Sequence, residues 1–272
     1  MTDVVLDPTK TAFFFDFDGT LAPIVDEPTH VRIDPSVAGL VRRLEEISGA
    51  VAVISGRSIA QLDNFLSPLV LPASGVHGLE RRSAAGALSS ASFDPERLKT
   101  LAANVAAFTR DQPGLITEVK PGSVALHYRK APERTAECLA FAALQAQRFA
   151  GASLAHGKQV VEVKLGNRDK GDAVLAFMSE PPFQGRMPVF IGDDVTDEDA
   201  FRRVVELGGV AIKIGPGHTL ATHRTPDITS FHRWLARLEE TGGPFRVIQP
   251  GLVKRRDSAV RPAARMAAGA DR

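Results

Sequence analysis

Thr11-Ala12-Phe13-Phe14-Phe15-Asp16-Phe17-Asp18-Gly19-Thr20-Leu21 is the stretch from which the fold can be read. Its first five residues are mostly large and apolar, and a short apolar run bounded by turn residues predicts a strand buried on both faces of a parallel sheet. Two carboxylates one residue apart follow, then a glycine that permits a sharp turn away from the strand. In open α/β sheets, ligands gather just beyond the carboxyl ends of strands. Asp16 and Asp18 therefore stand where chemistry would be placed. One can act as nucleophile and metal ligand, the other as proton donor and acceptor. Acids and glycine after a strand are also ordinary turn chemistry, and the spacing alone does not choose. A calcium loop does not fit: Asp16 to Glu27 carries acids at its first, third and twelfth places, but Leu21 stands where that loop needs glycine.

The chain has 272 residues, 44% hydrophobic and 24% charged, enough for one large domain or two with cores of their own. A formal net charge of +1 argues against nucleic acid as a partner. The single cysteine, Cys138, excludes an internal disulfide and suits a reducing compartment. Met1–Pro8 lacks the basic start and apolar run of a signal peptide, and no segment approaches the ~20 apolar residues that span a bilayer. A cytoplasmic monomer with no membrane partner is the expectation.

Outward from the first strand, strand and helix alternate. Asp34-Pro35-Ser36 opens a helix that Gly49 ends, and Ala50–Ile54 reads as a second buried strand. Ser55-Gly56-Arg57 follows, then a helix over Ser58–Leu66. A hydroxyl and a glycine amide at a helix start form an anion site or a plain N-cap. Leu69–Ala73 reads as another strand, followed by a loop with His77 and Gly78, and Arg81–Ser92 as a crossing into a second domain. Phe93–Lys164 then reads helix, hairpin (Leu115–Lys120 and Ser123–Arg129), helix (132–150), hairpin (152–155 and 159–164). By strand parity, Leu115, Thr117, Val119, Val124, Leu126, Tyr128, Val161 and Val163 share the face turned to the helices. Glu118, Lys120, His127, Arg129, Glu162 and Lys164 fall on the other, which is either a solvated face or a reader of a ligand with hydroxyls and anionic oxygens.

The alternation resumes with a helix from Asp169-Lys170-Gly171, where a lysine at the helix start opposes the macrodipole and so marks a functional position. Met187–Ile191 is the next buried strand, ending in Gly192-Asp193-Asp194-Val195-Thr196-Asp197-Glu198-Asp199. Thr196 and Asp199 have capping-box spacing for a helix over 200–206, which leaves Asp193 and Asp194 unexplained by capping. Val210–Ile214 is the last strand, and Asp227–Ser230 leads into a helix. From Gln249 onward Arg, Ala, Gly and Pro accumulate without periodicity, which predicts a disordered basic tail over 249–272.

The expected architecture is α/β: a Rossmann-like core with a mostly parallel sheet over 1–84 and 165–248, and an inserted α+β cap with an antiparallel sheet over 85–164. Carboxylates from separate strands meeting at one sheet edge need a cation, and hard oxygen donors suit Mg2+. A lysine, a hydroxyl and helix-start amides complete the complement of a phosphoryl group. Together they point to metal-assisted phosphoryl transfer through an aspartyl-phosphate.

Asp16-Phe-Asp18-Gly-Thr20, Ser55, Lys170 and Gly192-Asp193-Asp194 resemble the four signature motifs of haloacid dehalogenase-superfamily phosphatases. Ser55-Gly-Arg57, Val76-His77-Gly78-Leu-Glu80, His127-Tyr-Arg129, Val161-Glu162-Val163 and Gly192–Asp199 narrow the resemblance to the trehalose-6-phosphate phosphatase family over about residues 10–240. Asn167-Arg-Asp169-Lys170 departs from relatives that often place asparagine directly before the lysine. The resemblance implies trehalose 6-phosphate as the small-molecule substrate, within trehalose biosynthesis. It implies Mg2+ held by Asp16, the Asp18 carbonyl and Asp193, with Asp194 and Asp197 behind them. Ser55, Gly56 and Lys170 would hold phosphate, and Glu118, Lys120, Arg129 and Glu162 the distal sugar. Arg57, His77, Gly78 and Glu198 would contribute from the core. A phosphatase for sucrose 6-phosphate or mannosyl-3-phosphoglycerate, a phosphomannomutase-like transferase and a non-catalytic sugar-phosphate sensor are the alternatives.

Overall fold

A computed structural model describes residues 4–241 and 245–247. The expected tail over 249–272 lies outside the described residues. The strands in chain order are β1 (Val4–Leu6), β2 (Thr11–Phe15), β3 (Val51–Ile54), β4 (Ala73–Gly75), β5 (Glu80–Arg82), β6 (Leu88–Ser90) and β7 (Ile116–Lys120). They continue as β8 (Ser123–His127), β9 (Ser153–Gly157), β10 (Val160–Lys164), β11 (Met187–Gly192), β12 (Val210–Ile214), β13 (His223–Thr225) and β14 (Phe245–Val247). The helices are α1 (Pro35–Ser48), α2 (Ile59–Leu66), α3 (Pro95–Thr109), α4 (Thr135–Arg148), α5 (Lys170–Met178), α6 (Glu198–Glu206) and α7 (Ile228–Thr241).

An eight-stranded sheet runs in the order β13-β12-β11-β2-β3-β4-β5-β6, parallel from β13 to β4 and antiparallel beyond. All five residues of β2 are buried. Successive side chains of a strand point to opposite faces. Phe13 and Phe15 thus pack with Val53, Val189, Val41 and Phe231, while Phe14 joins Phe177, Phe183 and Phe190 on the other side. Each buried phenylalanine contributes roughly 1.5–3 kcal/mol over leaving it exposed. This is why the run shows no alternation in sequence: both faces are covered. β2 lies between β11 and β3, so Asp16, Asp193 and Ser55 all emerge at adjacent strand ends.

Residues from Pro95 to Lys164 build a separate antiparallel sheet, β7-β8-β10-β9, with α3 and α4 on one face. Its own core holds Leu101, Val105, Val124, Leu126, Tyr128, Cys138, Val161 and Val163. Val119, expected in that core, is 55% exposed because β7 is the edge strand.

Several expectations are corrected. Leu69–Pro72 is not a strand; β4 begins at Ala73, where pairing to β3 starts. Arg81–Ser92 is not simply a crossing, since β5 and β6 extend the large sheet in antiparallel steps. The large sheet therefore continues past residue 84. The expected helix over 132–150 begins with a 3-10 turn at Pro132–Arg134 and becomes α-helical at Thr135. β13 adds a strand beyond the one expected to be last, and β1 pairs with β14.

Candidate active site

The strand ends supply the acids and α5 supplies the base. Lys170 is the first residue of α5, which Asp169 and Asp172 open with a reciprocal capping box. Its Nζ donates to Asp16 Oδ1 at 2.8 Å and to Asp197 Oδ1 at 2.7 Å. Burial works against the charge, yet Asp16 and Asp197 hold Lys170 well above the ordinary lysine range. Burial and then Asp197 push Asp16 far above the ordinary carboxylate range, with Lys170 opposing. Burial and Asp197 likewise raise Asp193 to about 6.

Asp197 holds the loop after β11 in shape: its Oδ2 accepts from the backbone N–H groups of Asp193 and Asp194, each at 2.8 Å. The capping box expected of Thr196 and Asp199 is instead made by Asp194 and Asp197, two residues earlier, around a 3-10 turn at Val195–Asp197 that precedes α6. Capping thus accounts for Asp194, against expectation, and leaves Asp193 unexplained. Asp193 is reached through Gly19, whose φ is +82°. A Cβ there would lie 2.1 Å from Asp193 Oδ2, so a side chain at 19 would drive the two strand ends apart.

Arg57, expected to face substrate, lines the cavity and also clamps Asp18. Its Nε and one terminal nitrogen donate to the two carboxylate oxygens at 2.7 and 2.8 Å, and the other terminal nitrogen donates to Pro28 O at 2.8 Å. A two-point fork of this kind fixes the carboxylate's plane as well as its place. Ser55 Oγ accepts from the Arg57 N–H, so its own hydroxyl proton remains available to a ligand. Gly56 packs against the His77 ring, where a Cβ would sit 2.5 Å from Nε2.

The polar face of the smaller sheet roofs this centre. One cavity, open to solvent, is lined by Asp16, Asp18, Ser55, Gly56, Arg57, His77, Lys170, Asp193 and Asp194 from below. Glu118, Lys120, His127, Arg129, Lys158 and Glu162 line it from above. Lys120 Nζ donates to Glu162 Oε2 at 2.7 Å and to Gly56 O at 2.9 Å, tying roof to floor. Ser123 Oγ donates to Glu162 Oε1 at 2.6 Å. Burial opposes the charge on Glu162, but Lys120 and His77 keep it well below the ordinary range. Burial also opposes Glu118, yet His127 Nε2 at 2.8 Å, Lys120 and Gln61 hold it at about 2.

Two expected site residues lie elsewhere. Gly78 (φ +100°) does not line the cavity; a Cβ there would meet Asp169 O at 2.6 Å, so glycine lets the His77 loop pack on the start of α5. Glu198 turns away, its Oε2 accepting from the Leu220 N–H at 2.7 Å, because the first turn of α6 faces that loop. Lys164, on the same strand face as Glu162, lines a neighbouring cavity and donates to Arg168 O. Gln61, Lys158 and Lys213 are site neighbours that sequence reasoning passed over. Lys213 is buried at the end of β12 and donates to Asp193 O.

Asp16, Asp193 and Asp197 each bring a carboxylate oxygen within 4.8 Å of the others. Asp197 has both oxygens engaged, whereas Asp193 Oδ1 is buried with no partner. Hard oxygens with an unpaired buried atom among them fit a small divalent cation. Asp16 and Asp193 are the residues able to hold one, with Asp197 fixing the loop behind. Asp194 lies outside this group.

Residues 14–227 match the family described as Trehalose-phosphatase. The chain is 40% identical over 227 residues to the trehalose-6-phosphate phosphatase of Escherichia coli (strain K12), covering 83% of this chain and 85% of that protein. It is 34% identical over 203 residues to the trehalose-phosphate phosphatase of Mycolicibacterium paratuberculosis, covering 71% of this chain and 51% of that one. In fold it superposes on the C-terminal domain of C. albicans trehalose-6-phosphate phosphatase with a TM-score of 0.73 at 22% identity, over 85% of this chain and 92% of that one. An acid–lysine centre on a mostly parallel sheet, roofed by an antiparallel sheet with charged residues, is thus accompanied by sequence identity across both sheets: the chain belongs to the trehalose-phosphatase family.

Proposed function

We propose that this protein hydrolyses trehalose 6-phosphate to trehalose and phosphate. The observation that carries the reading is the single cavity in which Asp16, Asp18 and Lys170 face Glu118, Lys120 and Glu162. One end is built for a phosphoryl group and the other for hydroxyls.

An Asp16 oxygen attacks phosphorus as the bond from phosphorus to the sugar oxygen breaks, and Asp18 gives its proton to that oxygen. Water then attacks the aspartyl-phosphate, its proton passing to Asp18 as the Asp16–phosphorus bond breaks. Lys170, already on Asp16, holds the carboxylate in line and offers charge to the phosphoryl oxygens, with the Ser55 hydroxyl and the Gly56 amide beside it. Mg2+ held by Asp16 and Asp193 would neutralise charge between nucleophile and phosphate. The Arg57 fork orients Asp18 and must slacken as the sugar oxygen arrives. Glu118, Lys120, Arg129 and Glu162 read the distal glucose, and closure of the roof keeps water out.

Phosphate release with Mg2+ from trehalose 6-phosphate, sucrose 6-phosphate, mannosyl-3-phosphoglycerate and glucose 6-phosphate tests this. Trehalose 6-phosphate is expected to be preferred by at least ~100-fold in kcat/KM, since unmatched buried polar groups discriminate strongly. Asp16→Asn should abolish release. A flat panel would refute the substrate, and an active Asp16→Asn enzyme the nucleophile.

A further inference from the structure

The turn between β9 and β10 hangs over the acid cluster. Lys158 Nζ forms an ion pair with Asp193 Oδ2 across the gap between the two sheets. The adjacent backbone is close as well: a Cβ on Gly157 would stand 3.1 Å from Asp194 Oδ2. Arg129 pins the turn from behind, donating to Lys158 O at 2.9 Å, while its other terminal nitrogen reaches Val25 O. The pairing is lopsided. The Lys158 side chain is 48% exposed and that of Asp193 3%. Lys170 and Lys213 already face the same loop, through Asp16 and Asp197 and through the Asp193 carbonyl. Lys158 adds a third ammonium to that loop, from a half-exposed turn of the other sheet.

We infer that Lys158 competes with a divalent cation for Asp193, so that filling the acid cluster and seating the β9–β10 turn on it oppose one another. The inference rests on the reading of Asp193 as a cation ligand. A unit positive charge on a ligand oxygen repels a cation sharing that carboxylate, and burial of Asp193 limits screening. The coupling is reciprocal: whatever the turn subtracts from cation affinity, the cation subtracts from the turn's hold. Lys158 thereby becomes a positioning residue through which the roof senses the state of the floor.

The test uses the full chain without any sugar phosphate, so its failure is separable from failure of the substrate assignment. Mg2+ binding is measured by calorimetry on wild type, Lys158→Met, Lys158→Arg and Lys130→Met, the last removing a different contact between the two parts, the pair with Glu27. Hydrogen exchange across 153–164 is followed with and without Mg2+. Lys158→Met is expected to bind Mg2+ roughly ten-fold more tightly, with Lys158→Arg and Lys130→Met like wild type. Mg2+ should speed exchange at the turn in wild type but not in Lys158→Met. Equal or weaker binding by Lys158→Met overturns the inference. So does equal tightening in Lys130→Met, which would make general loosening the cause. Absence of Mg2+ uptake by every variant overturns the cation reading, and this inference with it.

Discussion

Glu162 and Lys120 offer the sharpest test of how the roof is built. Both are buried, at 3% and 8% exposure, and their 2.7 Å contact bridges β10 and β7 across β8. Removing one partner of a buried pair typically costs 3–5 kcal/mol, because a charge is left without compensation. The two single substitutions should differ. In Glu162→Gln, Lys120 keeps the Gly56 carbonyl at 2.9 Å and Glu118 at 3.9 Å, which places the loss at about 2–3 kcal/mol. In Lys120→Met, the Glu162 carboxylate keeps only the Ser123 hydroxyl and His77 at 3.7 Å, so about 3–5 kcal/mol is expected. The double variant removes both charges and should lose only about 1–2 kcal/mol. The coupling energy then comes to about 3 kcal/mol or more. Urea unfolding of the four proteins measures it.

The acid limb supplies a second readout. A carboxyl held below its ordinary value of 4.5 adds stability above that pH and loses it as pH falls through the folded value. Glu162 should therefore steepen acid destabilisation in wild type, and Lys120→Met should flatten it. A coupling below about 1 kcal/mol with unchanged acid limbs would refute the reasoning. The pair would then be only a substrate-facing arrangement with no part in stability.

Two further outcomes follow from the floor of the site. Gly19→Ala must place a Cβ against Asp193 while holding φ at +82°, so a stability loss of about 2–4 kcal/mol is expected; a melting temperature and Mg2+ affinity equal to wild type would show that the loop gives way freely. Asp193 stands at about 6 against an ordinary 3.8, so the fold favours its protonated form. That contribution is complete below pH 3.8 and is lost as pH rises through 6. At pH 7.5 the exposed cost, on the order of 2–3 kcal/mol, is what Mg2+ can return. Thermal stabilisation by Mg2+ should be large at pH 7.5 and small at pH 5, and equal shifts at both would count against Asp193 as a ligand.

What could be read beforehand, and what could not, divides by physics rather than by luck. β2 was legible because burial on both faces leaves a short, unbroken apolar run bounded by turn residues. Lys170 was legible because it offends the helix dipole, and its bonds to Asp16 and Asp197 are the return for that offence. β5 and β6 left no such mark: they are three residues each, and Leu88 at the outer edge is 70% exposed. Asp193, Asp194, Asp197 and Glu198 could not be sorted by spacing, since one inserted 3-10 turn decides which acid faces the cavity, which caps and which turns to Leu220. Lys158 is the instructive omission. A lysine in a hairpin turn reads as a solvated end, and half of it is. Its significance lies in what the turn hangs over, a contact between segments 35 residues apart that belong to different sheets. Local pattern reports the chemistry each segment carries. Which charges meet across a closing gap is set by the docking of two separately folded sheets, and that is where the competition between an ammonium and a cation for one carboxylate has to be sought.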